Sequence, residues 1–157
     1  MTITTRTTEL EAVNTILSTI GEAPLSTLTG SLPVDGTTAK NILSEISREV
    51  QSAGWHFNSH YKVDLSRDSF NKIPIGTDVL RVELNDRYDK SSYDVVQRDS
   101  YLYNLAKNEE TFEQDFEDNI IVYLLDFSKL PEQARRYITI RSARVFHDRT
   151  LGANTIH

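Results

Sequence analysis

The chain has 157 residues, 38% hydrophobic and 25% charged, with 17 Lys and Arg against 23 Asp and Glu and a formal net charge of -6. Such a composition belongs to one globular domain, long enough to bury a core without covalent staples. The acidic balance argues against a general nucleic-acid binder, whose affinity comes from neutralising phosphates. The absence of Cys excludes disulfide scaffolds, Cys-based zinc sites and Cys nucleophiles.

The first residues, Met1 to Arg6, contain no apolar run, so no signal peptide is expected. Residues 8–54 read as a helical hairpin. Thr8-Glu9-Leu10-Glu11 is a capping box, in which the Thr8 hydroxyl takes a backbone N–H and Glu11 reaches back. Leu10, Val13, Leu17 and Ile20 come next at helical spacing, and Gly21 supplies the stop. The connector from Glu22 to Gly30 and the stretch Ser31 to Gly36 carry Pro and Gly punctuation. A second helix is predicted from Thr37 or Thr38, with Ala39, Ile42, Leu43, Ile46, Val50 and Ala53 on one face and Gly54 closing it. Leu17 and Ile46 are expected to be buried between these two helices. A connector this long is expected to make contacts of its own.

The period then changes. Trp55, Phe57, Ser59, Tyr61, Val63 and Leu65 alternate with polar residues, as in a half-buried strand. Val79 to Leu84, Tyr93 to Gln97 and Tyr101 to Tyr103 are further short strands. Ile120 to Leu125 suits a central strand, being β-branched and aromatic, and is too short to span a bilayer. Residues 55–127 therefore read as a small antiparallel β insertion, with Trp55 expected to anchor it to the second helix. A last helix, residues 131–151, starts at Pro131 and stops at Gly152, with Ala134, Tyr137, Ile138, Val145 and Phe146 facing the other helices. The predicted fold is α+β: a helical bundle scaffold with an inserted small antiparallel β-sheet, together one domain over 1–157.

Motifs for chemistry are sparse. His56 and His60 are four apart, but on a strand that spacing spans about 13 Å and does not hold one metal. Gly30 to Gly36 before a helix differs from a phosphate loop: the glycines are one residue too far apart, Thr37 replaces the Lys and no strand precedes them. No cofactor, metal or catalytic residue is expected.

Two charge features stand out. Residues 108–118 hold Glu109, Glu110, Glu113, Asp115, Glu117 and Asp118 with no base. They read as a solvated acidic loop, as a lumen or contact loop, or as the source of a glycosidase acid–nucleophile pair, which requires one raised pKa. Residues 131–149 hold Arg135, Arg136, Arg141, Arg144 and Arg149 against Glu132 and Asp148. Arg suits bidentate pairing to carboxylates. This helix reads either as a solvated face or as one side of head-to-tail pairing between identical subunits, with Arg135, Arg136 and Arg141 as candidate contacts and the acidic loop as their counterpart. In the connector, Pro24, Leu25 and Leu28 are candidate subunit contacts or pack on their own bundle.

The stretch Glu9 to Gly30 resembles the opening of the tail tubular protein A family of T7-like short-tailed bacteriophages. The family pattern is Leu-x-Ala-Val-Asn-x-Ile-Leu-x-x-Ile-Gly-Glu-x-Pro-Val-x-x-Leu. It matches here from Leu10 to Leu28, with Leu25 in place of Val. The resemblance continues in Ala39 to Leu43, in Gln51 to Asn58, in Leu130-Pro131-Glu132, in Tyr137-Ile138-Thr139, and in Phe146 to Arg149 with Gly152-Ala153. The two flanks carry the resemblance, and no family motif is read in the middle, about residues 62–118.

The resemblance implies a virion structural protein rather than an enzyme: the head-to-tail adaptor, or upper tail tube. Its partners would be further copies of itself in a dodecameric ring, the portal protein above and the nozzle, tail tubular protein B, below. DNA would pass through the channel without sequence-specific binding, and no membrane would be involved. The protein would be assembled in the host bacterial cytoplasm, which the absence of Cys fits, and would reside in the viral tail. One departure stands against the resemblance: family members continue past the Gly-Ala with a further helical segment, which contributes to the bundle and to portal docking, whereas this sequence stops at His157. The alternative is a tail-associated glycan hydrolase using carboxylates of the β insertion.

Overall fold

The computed structural model describes residues 5–152 and divides into two compact units, Met1–Val50 with Asp126–His157, and Gln51–Leu125. The element order is α1 (Glu9–Ser18), α2 (Val34–Gln51), β1 (Ser59–Leu65), β2 (Val79–Glu83), β3 (Val95–Arg98), β4 (Tyr101–Asn104), β5 (Phe116–Tyr123), a short 3-10 turn (Phe127–Lys129) and α3 (Glu132–Gly152). Three helices and a small antiparallel sheet make the chain α+β, as its periodicities predict.

In the helical unit α1 begins where its cap dictates. The Thr8 hydroxyl accepts the Glu11 N–H at 3.1 Å, satisfying one of the orphan donors of the first turn. The helix ends in a Schellman arrangement: Gly21 N–H donates to the Ser18 carbonyl and Glu22 N–H to that of Leu17, at 3.1 and 3.2 Å. Gly21 stands at φ +77, a left-handed conformation that glycine adopts without cost. The second helix starts at Val34, a turn earlier than its apolar face suggests. The Pro33 carbonyl already accepts the Thr37 N–H at 3.0 Å, so the helix passes through Gly36 despite its poor propensity. There is a packing reason for glycine: a Cβ on Gly36 would lie 3.0 Å from Leu25 Cδ1.

Ala12, Val13, Ile16 and Leu17 of α1, Ala39, Ile42, Leu43 and Ile46 of α2, and Ile138 and Phe146 of α3 are buried. Leu17 and Ile46 are both buried. The close helix packing in this unit is that of α1 on α3, while α2 is tied to α3 by ion pairs at Glu45 and Glu49. Tyr137, expected inward, is 54% exposed, and Arg135, Thr139 and Ser142 are buried instead. The third helix thus buries polar residues beside its apolar ones and leaves some apolar residues outside.

In the second unit β5 is the central strand of a three-stranded antiparallel sheet, order β1-β5-β2, and β3 pairs with β4 in a separate hairpin. The expected strand from Trp55 begins only at Ser59. Residues 55–58 form a turn, in which Asn58 N–H donates to the Trp55 carbonyl at 3.1 Å. The β3–β4 turn places Asp99 at φ +55, where Asp is tolerated. Leu65, Ile73, Ile75, Val79, Leu102, Phe112, Phe116 and Ile121 form the core. Phe116 is its centre, with Tyr88, Tyr93 and Phe112 edge-on at 4.8 to 5.5 Å.

Buried amides fasten the ends of this unit. Gln51 donates to the Leu125 carbonyl and accepts the Leu125 N–H, at 3.0 and 2.8 Å. Asn58 donates to the carbonyls of Gln51 and Tyr123 and accepts the Trp55 N–H. Each amide imitates a backbone group where the sheet has run out.

Candidate assembly surfaces

The connector, residues 19–33, is held by one side chain. Asn14 donates to the Leu25 carbonyl and accepts the Leu25 N–H at 3.0 and 2.7 Å, and so draws the connector onto α1. Leu25 then rests on Gly36. Leu25 and Leu28 are half-buried and Pro24 is exposed. Part of this apolar segment therefore packs on its own unit, and Pro24 remains outside.

The arginines of α3 divide into three kinds. Arg135 is 5% exposed and sends its guanidinium inward: Nε to the Leu130 carbonyl at 2.8 Å, one terminal nitrogen to the Thr7 carbonyl at 2.8 Å, the other to Ser128. Phe127 lies under it, 5.7 Å from ring centre to guanidinium carbon. The planar fork satisfies three carbonyls left over by the turn before α3 and by the N-terminal segment. Arg135 is thus no free contact for another subunit, which corrects the expectation from its charge. Glu132 completes this clamp. It accepts Thr7 N–H and hydroxyl, each at 2.6 Å, and the Thr7 hydroxyl foremost holds its carboxyl below the ordinary value.

Arg141 pairs with Glu49 and Arg149 bidentately with Glu45, the latter at 2.8 and 2.9 Å. Arg149 lowers the Glu45 pKa and has its own raised in return. Arg141, another candidate contact, is therefore half-buried and already paired within its subunit. Arg136 and Arg144 are exposed, with no ion pair among the described residues.

Most acids of the segment find a base within their own unit. Lys72 pairs with Glu110, Arg67 with Asp115, Arg87 with Glu117 and Asp118, and Lys107 with Glu113. Glu109 bonds only through its backbone, to Asn104. The segment is therefore partly compensated, by bases that lie outside it in sequence. Hydrogen bonds explain the pKa shifts. The Tyr93 hydroxyl holds Glu113 below its ordinary value, and the Arg67 backbone N–H does the same for Asp115. Neither shift has the direction a glycosidase acid needs.

Trp55, expected to anchor the insertion to the second helix, is 48% exposed. It sits above the turn, stacked on Phe57 with ring centres 6.3 Å apart, and the buried position falls to Asn58. Gly54 is favoured by its φ of +79; a Cβ there would also meet the Arg81 guanidinium, the movable end of an exposed side chain. His56 packs against Phe57 and His60 against Tyr123. Among the described residues no group of three ligating side chains converges.

Charge separates the two units. Residues 51–125 hold 14 of the 23 Asp and Glu and 8 of the 17 Lys and Arg, so they carry the whole -6 and the helical unit is neutral. The sequence pattern points to acids in one loop and does not reveal this division. Nor does it reveal that Tyr137, Ile140 and Leu151 lie outside on α3, at 54%, 45% and 41% exposure.

A comparison with curated proteins finds no match. A family model described as tail tubular protein matches residues 10–157. The chain belongs to that family, and it is a structural component of a bacteriophage tail.

Proposed function

From its membership of the tail tubular protein family, we propose that this protein is the head-to-tail adaptor. Copies form a ring between the portal and the nozzle, and the ring surrounds the channel through which DNA is ejected. The observation that carries this reading is the family match over residues 10–157. The distribution of charge supports it. A channel for DNA must not bind phosphate, and a unit of net charge -6, repeated around a ring, repels the duplex. Neutral helical units approach one another without that repulsion, which suits them to contacts between subunits. Pro24, Leu25 and Leu28 of the connector and the outer face of α3 are the surfaces offered to other copies or to the portal. Assembly takes place in the host bacterial cytoplasm.

The test is genetic and structural. In the phage that encodes this chain, its deletion is expected to give heads that package DNA but carry no tail, and supply of the full chain in trans restores the tail. Purified chain is expected to bind portal and nozzle proteins in a pull-down. Complete tails on particles without the chain would refute the adaptor role.

A further inference from the structure

On α3, Arg136, Tyr137, Ile140 and Arg144 form one exposed stripe at helical spacing, opposite the buried Ile138 and Phe146. Two large side chains thus stand between two cations, and about 12 Å of helix rise separates those cations. Neither cation has an ion pair among the described residues. On α1 the pattern is inverted. Glu11, Thr15 and Ser18 line its exposed face, and Glu22 stands just past its end. Here two small side chains stand between two anions, again without an ion pair among the described residues. Thr15 and Ser18 turn their hydroxyls back to the carbonyls of Glu11 and Thr15, at 3.0 and 2.6 Å, and so present little polar demand to a neighbour.

We propose that the outer face of α3 docks on the outer face of α1 of a second copy. Arg136 and Arg144 meet Glu11 and Glu22, and Tyr137 and Ile140 lie over Thr15 and Ser18. This rests on the adaptor reading and names its subunit contact. The occupant is a second copy because both complementary patches are on this chain, and because the neutral helical unit puts no net repulsion between copies. Two different patches meet, so the contact is heterologous and leaves each subunit one free face of each kind. It therefore propagates until a ring closes. Apolar burial supplies the affinity, and the charges set partner and orientation.

The experiment measures the mass of the full chain by sedimentation velocity at physiological salt. The wild type is expected to form a closed oligomer. Arg136→Glu with Arg144→Glu, and separately Glu11→Lys with Glu22→Lys, are each expected to weaken association at least tenfold and sediment as monomers. An equimolar mixture of the two is expected to regain the wild-type mass, because each variant supplies the face the other accepts. Circular dichroism checks that both are folded. Ile140→Ser, at an exposed position, gives a second route to the monomer. The proposal is overturned if either reversed variant keeps the wild-type mass, if the mixture of folded variants stays monomeric, or if the wild type is itself a monomer. The adaptor role is scored separately, by whether particles lacking the chain carry tails, so either can fail alone.

Discussion

Replacing Arg135 tests whether this residue builds its own subunit or reaches for another. Arg135→Met keeps much of the apolar stem, and its packing over Phe127, but removes the guanidinium. The carbonyls of Leu130, Thr7 and Ser128 then lose their donor. Bonds from a charged donor contribute about 1.5–3 kcal/mol each, and a buried carbonyl left unpaired costs about 1–3 kcal/mol. The three are not additive, since water reaches the rim and the guanidinium no longer needs desolvation. The net loss is then about 3–5 kcal/mol. For a chain of this size each 1 kcal/mol moves the melting temperature by about 2–4 °C, so a fall on the order of 10 °C is expected in a thermal melt. Arg136→Met, one position along and exposed, is the control and should stay within about 0.5 kcal/mol. Equal effects of the two substitutions, or a loss below about 1 kcal/mol at Arg135, would refute the clamp.

The same contacts set four further outcomes. Gly54→Ala should cost about 1–3 kcal/mol by strain at φ +79, measured by urea denaturation; a neutral result would contradict that strain. Phe116→Ala should cost about 3–5 kcal/mol, because it empties the centre of an aromatic cluster. Asn14→Ala should free the connector and make residues 19–33 cleave faster in limited proteolysis, while α1 keeps its protection from hydrogen exchange. The pKa values of Glu45, Glu113, Asp115 and Glu132 are all lowered on folding. Their stabilisation is therefore complete above the ordinary carboxylate range and is lost as pH falls through the depressed folded values. Melts from pH 7 to 3 should show this decline, and a flat profile would rule it out.

Local signals are legible in the sequence wherever a few neighbouring residues decide the outcome. Thr8 and Glu11 fix the start of α1, Gly21 its end, and the apolar run from Ile120 marks the strand that becomes central. The start of α2 is hidden because Gly36 has poor helix propensity; contact with Leu25 outweighs that preference. The acidic segment looks uncompensated in sequence because its bases come from afar: Arg67 is 48 positions from Asp115 and Arg87 is 31 from Asp118. Charge alone argues for Arg135 in solvent. Its partner Thr7 is 128 positions away, and no periodicity reveals three unpaired carbonyls. The same blindness covers Tyr137 and Ile140. Apolar residues on both sides of α3 blur its helical pattern.

The central claim is that this chain is a ring component at the junction of head and tail. Cryo-electron microscopy of the intact phage tests it most directly. The account predicts density fitting this fold, repeated as a closed ring beneath the portal, with the acidic units of residues 51–125 facing the channel. Density for the chain in fibres or capsid, or a junction ring built from a different fold, would contradict it.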